Sequence, residues 1–111
     1  MTDKIVILST CPTAEEAERF ARELVDARLA ACVNLIPQIR SFYRWKGNVE
    51  TSDEYLLVIK TSRSLFDSVR MILEKTHSYE VPEAIALQIV EGSENYLNWI
   101  QANLQPGPES N

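Results

Sequence analysis

The sequence predicts an α+β domain whose elements run βαββαβ and close with a further helix. Three observations predict it. The stretches Cys32 to Trp45 and Val49 to Thr61 are rich in apolar, aromatic and β-branched residues, and Trp45-Lys46-Gly47-Asn48 between them reads as a tight turn. A segment on each side of that hairpin repeats apolar residues at helical spacing. Short apolar runs near the two ends of the chain supply the remaining strands.

In chain order, Ile5 to Ser9 is short and continuously apolar, which suits a central strand buried on both faces. Thr10-Cys11-Pro12-Thr13 breaks it. Thr13 with Glu16 forms a capping box, and Ala14, Ala17, Phe20, Ala21, Leu24 and Val25 make the apolar stripe of a first helix ending near Ala27-Arg28. Glu15–Arg19 and Glu18–Arg22 stand as i,i+4 pairs on its outer side. The hairpin then fills Ala30 to Lys60. Each arm holds about 10–12 paired residues, roughly 35–40 Å, which is about twice an ordinary strand. Pro37 lacks a ladder donor and marks a bulge that bends the first arm. The outer half carries Phe42, Tyr43, Trp45, Tyr55 and Leu57, and the expected cover for them is another copy of the chain.

Ser64 is expected to cap a second helix, with Asp67 in its first turn and Leu65, Val69, Ile72 and Leu73 as its stripe. Residues 77–83 are irregular, because Pro82 drives Val81 out of helical geometry. Ala84 to Val90 forms the last strand, Gly92-Ser93 ends it, and Asn95 to Leu104 gives a short third helix. Gln105 to Asn111 reads as a loose tail on a single domain, residues 1–111. This is the split-βαβ, ferredoxin-like pattern, with both main helices on one face of an antiparallel sheet. The opposite face has little of its own to cover it.

Eleven basic against sixteen acidic residues leave a net charge of −5, which disfavours nucleic acid and anionic membranes as partners and favours a cation. No apolar run approaches the ~18–20 residues that span a bilayer, and Met1-Thr2-Asp3-Lys4 runs directly into the first strand. A cytoplasmic protein is expected. Two cysteines, Cys11 and Cys32, are too few for a disulfide scaffold and read as free thiols.

No glycine-rich phosphate loop, nucleophile elbow, HExxH or CxxC is present, and no nucleophile–base pair can be named, so the chain reads as a non-enzyme. His77 is the single histidine. It follows the second helix, where the negative end of the helix dipole favours an imidazolium; it reads either as a ligand residue or as a hydrogen-bonded loop histidine. Cys11, in the loop after the first strand, is a soft-metal candidate, and Cys32 reads as a small buried hydrophobe. Glu50, Glu54, Glu80 and Glu83 are hard-ion candidates or solvated carboxylates, and Lys60 either places a cation in a cleft or ends a strand.

Leu29-Ala30-Ala31-Cys32-Val33-Asn34-Leu35-Ile36-Pro37, Ser41, Tyr43 and Trp45-Lys46-Gly47 resemble the CutA-type divalent-cation tolerance proteins. The likeness continues through Ile59-Lys60-Thr61, His77-x-Tyr79-Glu80-x-Pro82-Glu83 and Tyr96-Leu97-x-Trp99, and covers residues 4–104. The resemblance implies a ferredoxin-like protomer in a tight homotrimer, a link to copper and other divalent-metal tolerance, and copper binding in some members. No cofactor is obligatory; copper or another divalent cation is the candidate ligand. His77 and Cys11 would be the metal residues, although Ser9 stands where some relatives carry a copper-ligand cysteine, and Thr76 and Ser78 replace a second histidine and a proline. Lys60, Tyr79 and Glu83 would bind a small ligand with His77 in a cleft between subunits. The last strand and the second hairpin arm are not neighbours in such a sheet, so a partner subunit would bring the four together. The alternative is a PII-like trimeric metabolite sensor, a fold-level analogy, or a scaffolding trimer without metal chemistry.

Overall fold

The structure, a computed structural model, describes residues 2–107. Its elements are β1 (Lys4–Cys11), α1 (Ala14–Asp26), β2 (Cys32–Trp45), β3 (Asn48–Ser62), a 3₁₀ turn (Arg63–Leu65), α2 (Phe66–Thr76), β4 (Ile85–Gln88) and α3 (Glu94–Ala102). The four strands form one antiparallel sheet in the order β2-β3-β1-β4, which is the split-βαβ arrangement. Among the described residues no helix is long and apolar enough to cross a membrane.

Period two decides which side of the sheet is buried. Ile5, Ile7, Ser9 and Cys11 of β1 and Leu57, Ile59 and Thr61 of β3 lie under α1 and α2, together with Phe20, Leu24, Val69 and Leu73. The other face is only half covered. Val6 and Leu8 are partly buried, and Ile85 and Leu87 of β4 are 51% and 50% exposed. β1 is therefore central but not buried on both faces as its apolar run suggested, because both main helices lie on the same side. β1 also runs past Ser9 to Cys11, held by pairing of Cys11 with Tyr55, so Cys11 is a strand residue and not a loop residue. α3 lies over the foot of the open face, where Lys4 Nζ donates to Gln101 at 2.6 Å and Lys60 Nζ sits 5.6 Å from the Tyr96 ring.

The hairpin turns through Lys46 (φ 51°) and Gly47 (φ 85°), the pair of positive φ values that a two-residue type I′ turn requires. Pro37 sits in the expected bulge: Ile36 faces Leu56, Ile39 faces Glu54, and Gln38 beside it takes φ 64°. The extra residue reverses the side-chain phase of β2, so Ile36 and Ile39 face the same side. Leu57 and Tyr55 prove to belong to the inner half: Leu57 is fully buried and Tyr55 packs on the core, whereas Phe42 and Val49 beyond the bulge are 70% and 65% exposed.

Smaller differences have local reasons. Ser64 does not cap α2; the 3₁₀ turn intervenes, and the hydroxyl is pressed against Gly107, where an added β-carbon would clash with it. β4 spans four residues instead of seven, since pairing with β1 ends at Leu8. Cys32 is half-buried on the open face, opposite Lys60. Gln105 to Gly107 are not loose: the Gln105 amide donates to the Arg28 carbonyl at 2.8 Å, and Gly107 is buried. The rest of the expected tail, 108–111, lies outside the described residues.

Candidate functional site

The candidate side chains gather where β1 ends, α1 begins and the chain leaves α2. Thr13 caps α1 by accepting from the Glu16 amide at 3.2 Å. The reciprocal half of the capping box does not form. The Glu16 carboxylate instead accepts from the Ser78 amide at 2.9 Å and from the Ser78 hydroxyl at 2.7 Å. Arg19, one turn on, leaves the expected Glu15 pairing and donates to the Thr76 hydroxyl and carbonyl at 2.8 and 3.1 Å. Two residues of α1 thus clamp the end of α2 and present His77, which follows it directly.

His77 is enclosed. Its side chain has no exposed surface, its ring stacks on Phe20 at 5.4 Å and it lies 4.8 Å from the Tyr79 ring. Nε2 stands 2.8 Å from the Thr10 carbonyl oxygen and 3.7 Å from Cys11 Sγ. Nδ1 accepts from the Tyr79 amide at 3.0 Å and has Glu16 Oε2 at 3.3 Å. Cys11, Glu16 and His77 bring one donor atom each within 4.8 Å of one another. Burial, then the carboxylate of Glu16, pushes the Cys11 thiol up to about 12, so it is a thiol and not a free thiolate at neutral pH.

These residues fit a thiophilic ion better than a hard one. Cys11 Sγ and His77 Nε2, 3.7 Å apart, are the sulfur and nitrogen donors that would hold such an ion. Glu16 lies on the Nδ1 edge, where carboxylates orient a metal-binding imidazole more often than they ligate. Ser9 Oγ is buried without a hydrogen-bond partner on the same face of β1 as Cys11.

A second grouping adjoins the first. Tyr79 donates its hydroxyl to Glu54 Oε2 at 2.6 Å, and Glu54 is only 7% exposed. Burial, then that hydrogen bond and the charge of Glu54, raises the Tyr79 phenol. Burial, then Glu54, raises the Glu83 carboxyl as well. His77, Tyr79, Glu54, Cys11 and Glu16 are therefore joined within one chain. Lys60 is not among them. It lies six positions from Glu54 along β3, roughly 20 Å, over Tyr96.

Glu16 and the Thr10 carbonyl were missed in the sequence. The capping-box spacing was the available signal for Glu16: it fixes that carboxylate at the start of α1, beside the end of β1.

The model of a family described as "CutA1 divalent ion tolerance protein" matches residues 5–103. The chain is 48% identical over 91 residues to "Protein CutA" of Mus musculus, covering 82% of this chain and 51% of that protein. It is 44% identical over 98 residues to the "Divalent-cation tolerance protein CutA" of Thermus thermophilus, covering 88% and 95%. The chain thus spans about half the length of the mouse relative and nearly all of the bacterial one. The crystal structure of CutA from Xylella fastidiosa superposes with a TM-score of 0.91 at 42% identity, covering 94% of this chain and all of that one.

Proposed function

The chain belongs to the CutA1 divalent ion tolerance family, and from that membership we propose a trimeric metal-response protein that takes up a thiophilic cation, copper among them, through Cys11 and His77. The observation that carries the reading is the 3.7 Å approach of the Cys11 thiol to the His77 imidazole, with Glu16 beside the other ring nitrogen. The cation supplies only charge and soft coordination. The protein's residues do the rest: burial holds the thiol protonated until a metal displaces the proton, Glu16 steadies the ring, and α1 holds the segment in place.

Two parts of the proposal need neighbouring subunits. The apolar open face and the exposed hairpin end, with Ile85, Leu87, Phe42 and Trp45, support assembly, and we take its order as three. Lys60, remote from Tyr79 and Glu83 in its own chain, would meet them only across a subunit boundary, where a small acidic ligand would find an ammonium, a phenol and a protonatable carboxyl. A second reading, a scaffolding trimer without metal chemistry, is favoured by one observation: both nitrogens of His77 are already engaged by backbone groups.

Calorimetric titration with Cu²⁺ separates the readings. The expected result is one ion per chain, with affinity reduced at least tenfold by Cys11→Ser and by His77→Ala. Equal affinity in wild type and both variants removes the metal from these residues and leaves the scaffold reading. Sedimentation equilibrium at micromolar concentration tests assembly; a mass near 12.6 kDa would sink it.

A further inference from the structure

Both ring nitrogens of His77 are held by backbone groups that can act in only one sense. The Tyr79 amide donates, so Nδ1, 3.0 Å away, must offer a lone pair. The Thr10 carbonyl accepts, so Nε2, 2.8 Å away, must carry the proton of the neutral ring. The partners therefore fix the Nε2–H tautomer. Yet the soft donor of the site, Cys11 Sγ, stands 3.7 Å from that same Nε2, the nitrogen with no lone pair to give. Glu16 Oε2 stands 3.3 Å from Nδ1, so an acceptor faces an acceptor. For sharing an ion, the sulfur therefore sits beside the protonated nitrogen, while the carboxylate sits beside the unprotonated one.

The geometry points to a tautomer switch in His77, through which metal at Cys11 releases the Tyr79 segment. The inference rests on the metal reading above. With Nε2 turned to an ion that it would share with Cys11, the ring proton would move from Nε2 to Nδ1, and Nδ1–H would donate a hydrogen bond to the Glu16 carboxylate. The Cys11 thiol proton goes to solvent as the sulfur–metal bond forms. The ring is neutral before and after, and one proton is released per ion. A protonated Nδ1 cannot accept from the Tyr79 amide, so that bond is lost. Tyr79 also holds Glu54 through its hydroxyl at 2.6 Å, and Glu54 faces Ile39, the first residue paired beyond the bulge of β2. The release therefore reaches the root of the outer hairpin. Glu16, read from sequence as half of a capping box, is the positioning residue that makes the second tautomer available.

His77 is the single histidine of the chain, so ¹⁵N-histidine labelling gives one ring to observe. The probe is Zn²⁺ alone, which is diamagnetic and takes sulfur and imidazole ligands. Without metal, Nε2 is expected to be protonated and Nδ1 not. At one equivalent of Zn²⁺ per chain the proton is expected on Nδ1, Nε2 is expected to show metal attachment, and the Tyr79, Glu54 and Ile39 amide signals shift together. In Tyr79→Phe the ring change persists, while the Glu54 and Ile39 shifts shrink by more than half. Zn²⁺ bound by calorimetry with Nε2 still protonated overturns the switch and leaves the metal site standing. No Zn²⁺ bound overturns both. Unreduced Glu54 and Ile39 shifts in Tyr79→Phe overturn the route through Tyr79.

Discussion

The hairpin changes character at its bulge. Below it, Leu35 pairs with Leu57 and Val33 with Ile59, and the β3 residues are fully buried beneath the helices. Above it the ladder continues without a break from Arg40–Asp53 to Trp45–Asn48, but Phe42 and Val49 stand mostly in solvent. Both halves have regular strand geometry and full cross-strand pairing. What differs is who supplies the burial. Hydrogen bonding and turn chemistry suffice to shape a strand, but an isolated two-stranded ribbon is at best marginal in water. The inner half is buried by its own chain, and the outer half is not.

The largest effect should test the half that lacks cover. Trp45→Ala deletes an aromatic that, packed by a neighbouring subunit, is worth about 3–5 kcal/mol. The loss should appear as dissociation in sedimentation equilibrium and as a melting temperature that falls on dilution. A variant as stable and as associated as wild type would mean that the hairpin end stands free. Leu57→Ala tests the other half. Removing a fully buried leucine costs about 2–5 kcal/mol, and here the loss belongs to the protomer fold. Its denaturation midpoint should drop at every protein concentration with little change in subunit association. If the two variants behaved alike, the division at the bulge would be false.

The features that the sequence made legible are those decided within a few residues. Gly47 between two strand-like runs marks a tight turn with a positive φ, although the positive φ of Lys46 that makes it type I′ was not legible. Pro37 cannot donate to a ladder, so a bulge beside it needs no knowledge of the rest of the chain. Thr13 caps α1 for the same local reason. The site was less legible because distant partners won. Glu16 had a local partner, the Thr13 amide, but Ser78, 62 positions away, offers it two donors. Cys11 became a strand residue because Tyr55 pairs with it. Ser64 lost its helix cap because the 3₁₀ turn takes it up and leaves Leu65 at the cap of α2. His77 and Tyr79 could be named, and Glu54 and Glu83 listed among several candidate carboxylates, but nothing in the sequence assigned Glu16 to the site.

A smaller effect is expected at the bulge itself. Gln38 has φ 64°, a left-handed conformation that costs a side-chain-bearing residue roughly 1–2 kcal/mol. Gln38→Gly relieves that cost but adds freedom to the unfolded chain, so a net gain of about 0.5–1 kcal/mol is expected in chemical denaturation. A loss would show that the Gln38 side chain has contacts worth more than the backbone cost. The boundary between the two halves would then be fixed by packing as well as by Pro37.

The smallest effect concerns the anchor just beyond that boundary, at the root of the outer half. Glu54, opposite Ile39, is buried with Tyr79 and with Glu83 nearby. Burial, and then the charge of Glu54, raises the Glu83 carboxyl above its ordinary 4.5. A carboxyl with a raised folded value binds its proton more tightly in the fold than in the unfolded chain. Its contribution to stability is whole below 4.5 and is lost as pH climbs through the raised folded value. Glu83→Gln cannot titrate, and the other carboxyls are common to both proteins, so their effects largely cancel in a difference. The relief of Glu54 acts in the same direction. Melting temperatures of wild type and Glu83→Gln should therefore be compared from pH 4 to pH 7, with the wild type losing ground to the variant as pH rises. A difference that stays flat, or grows in favour of the wild type, would mean that Glu83 is well solvated. The anchor would then consist of Tyr79 and Glu54 alone.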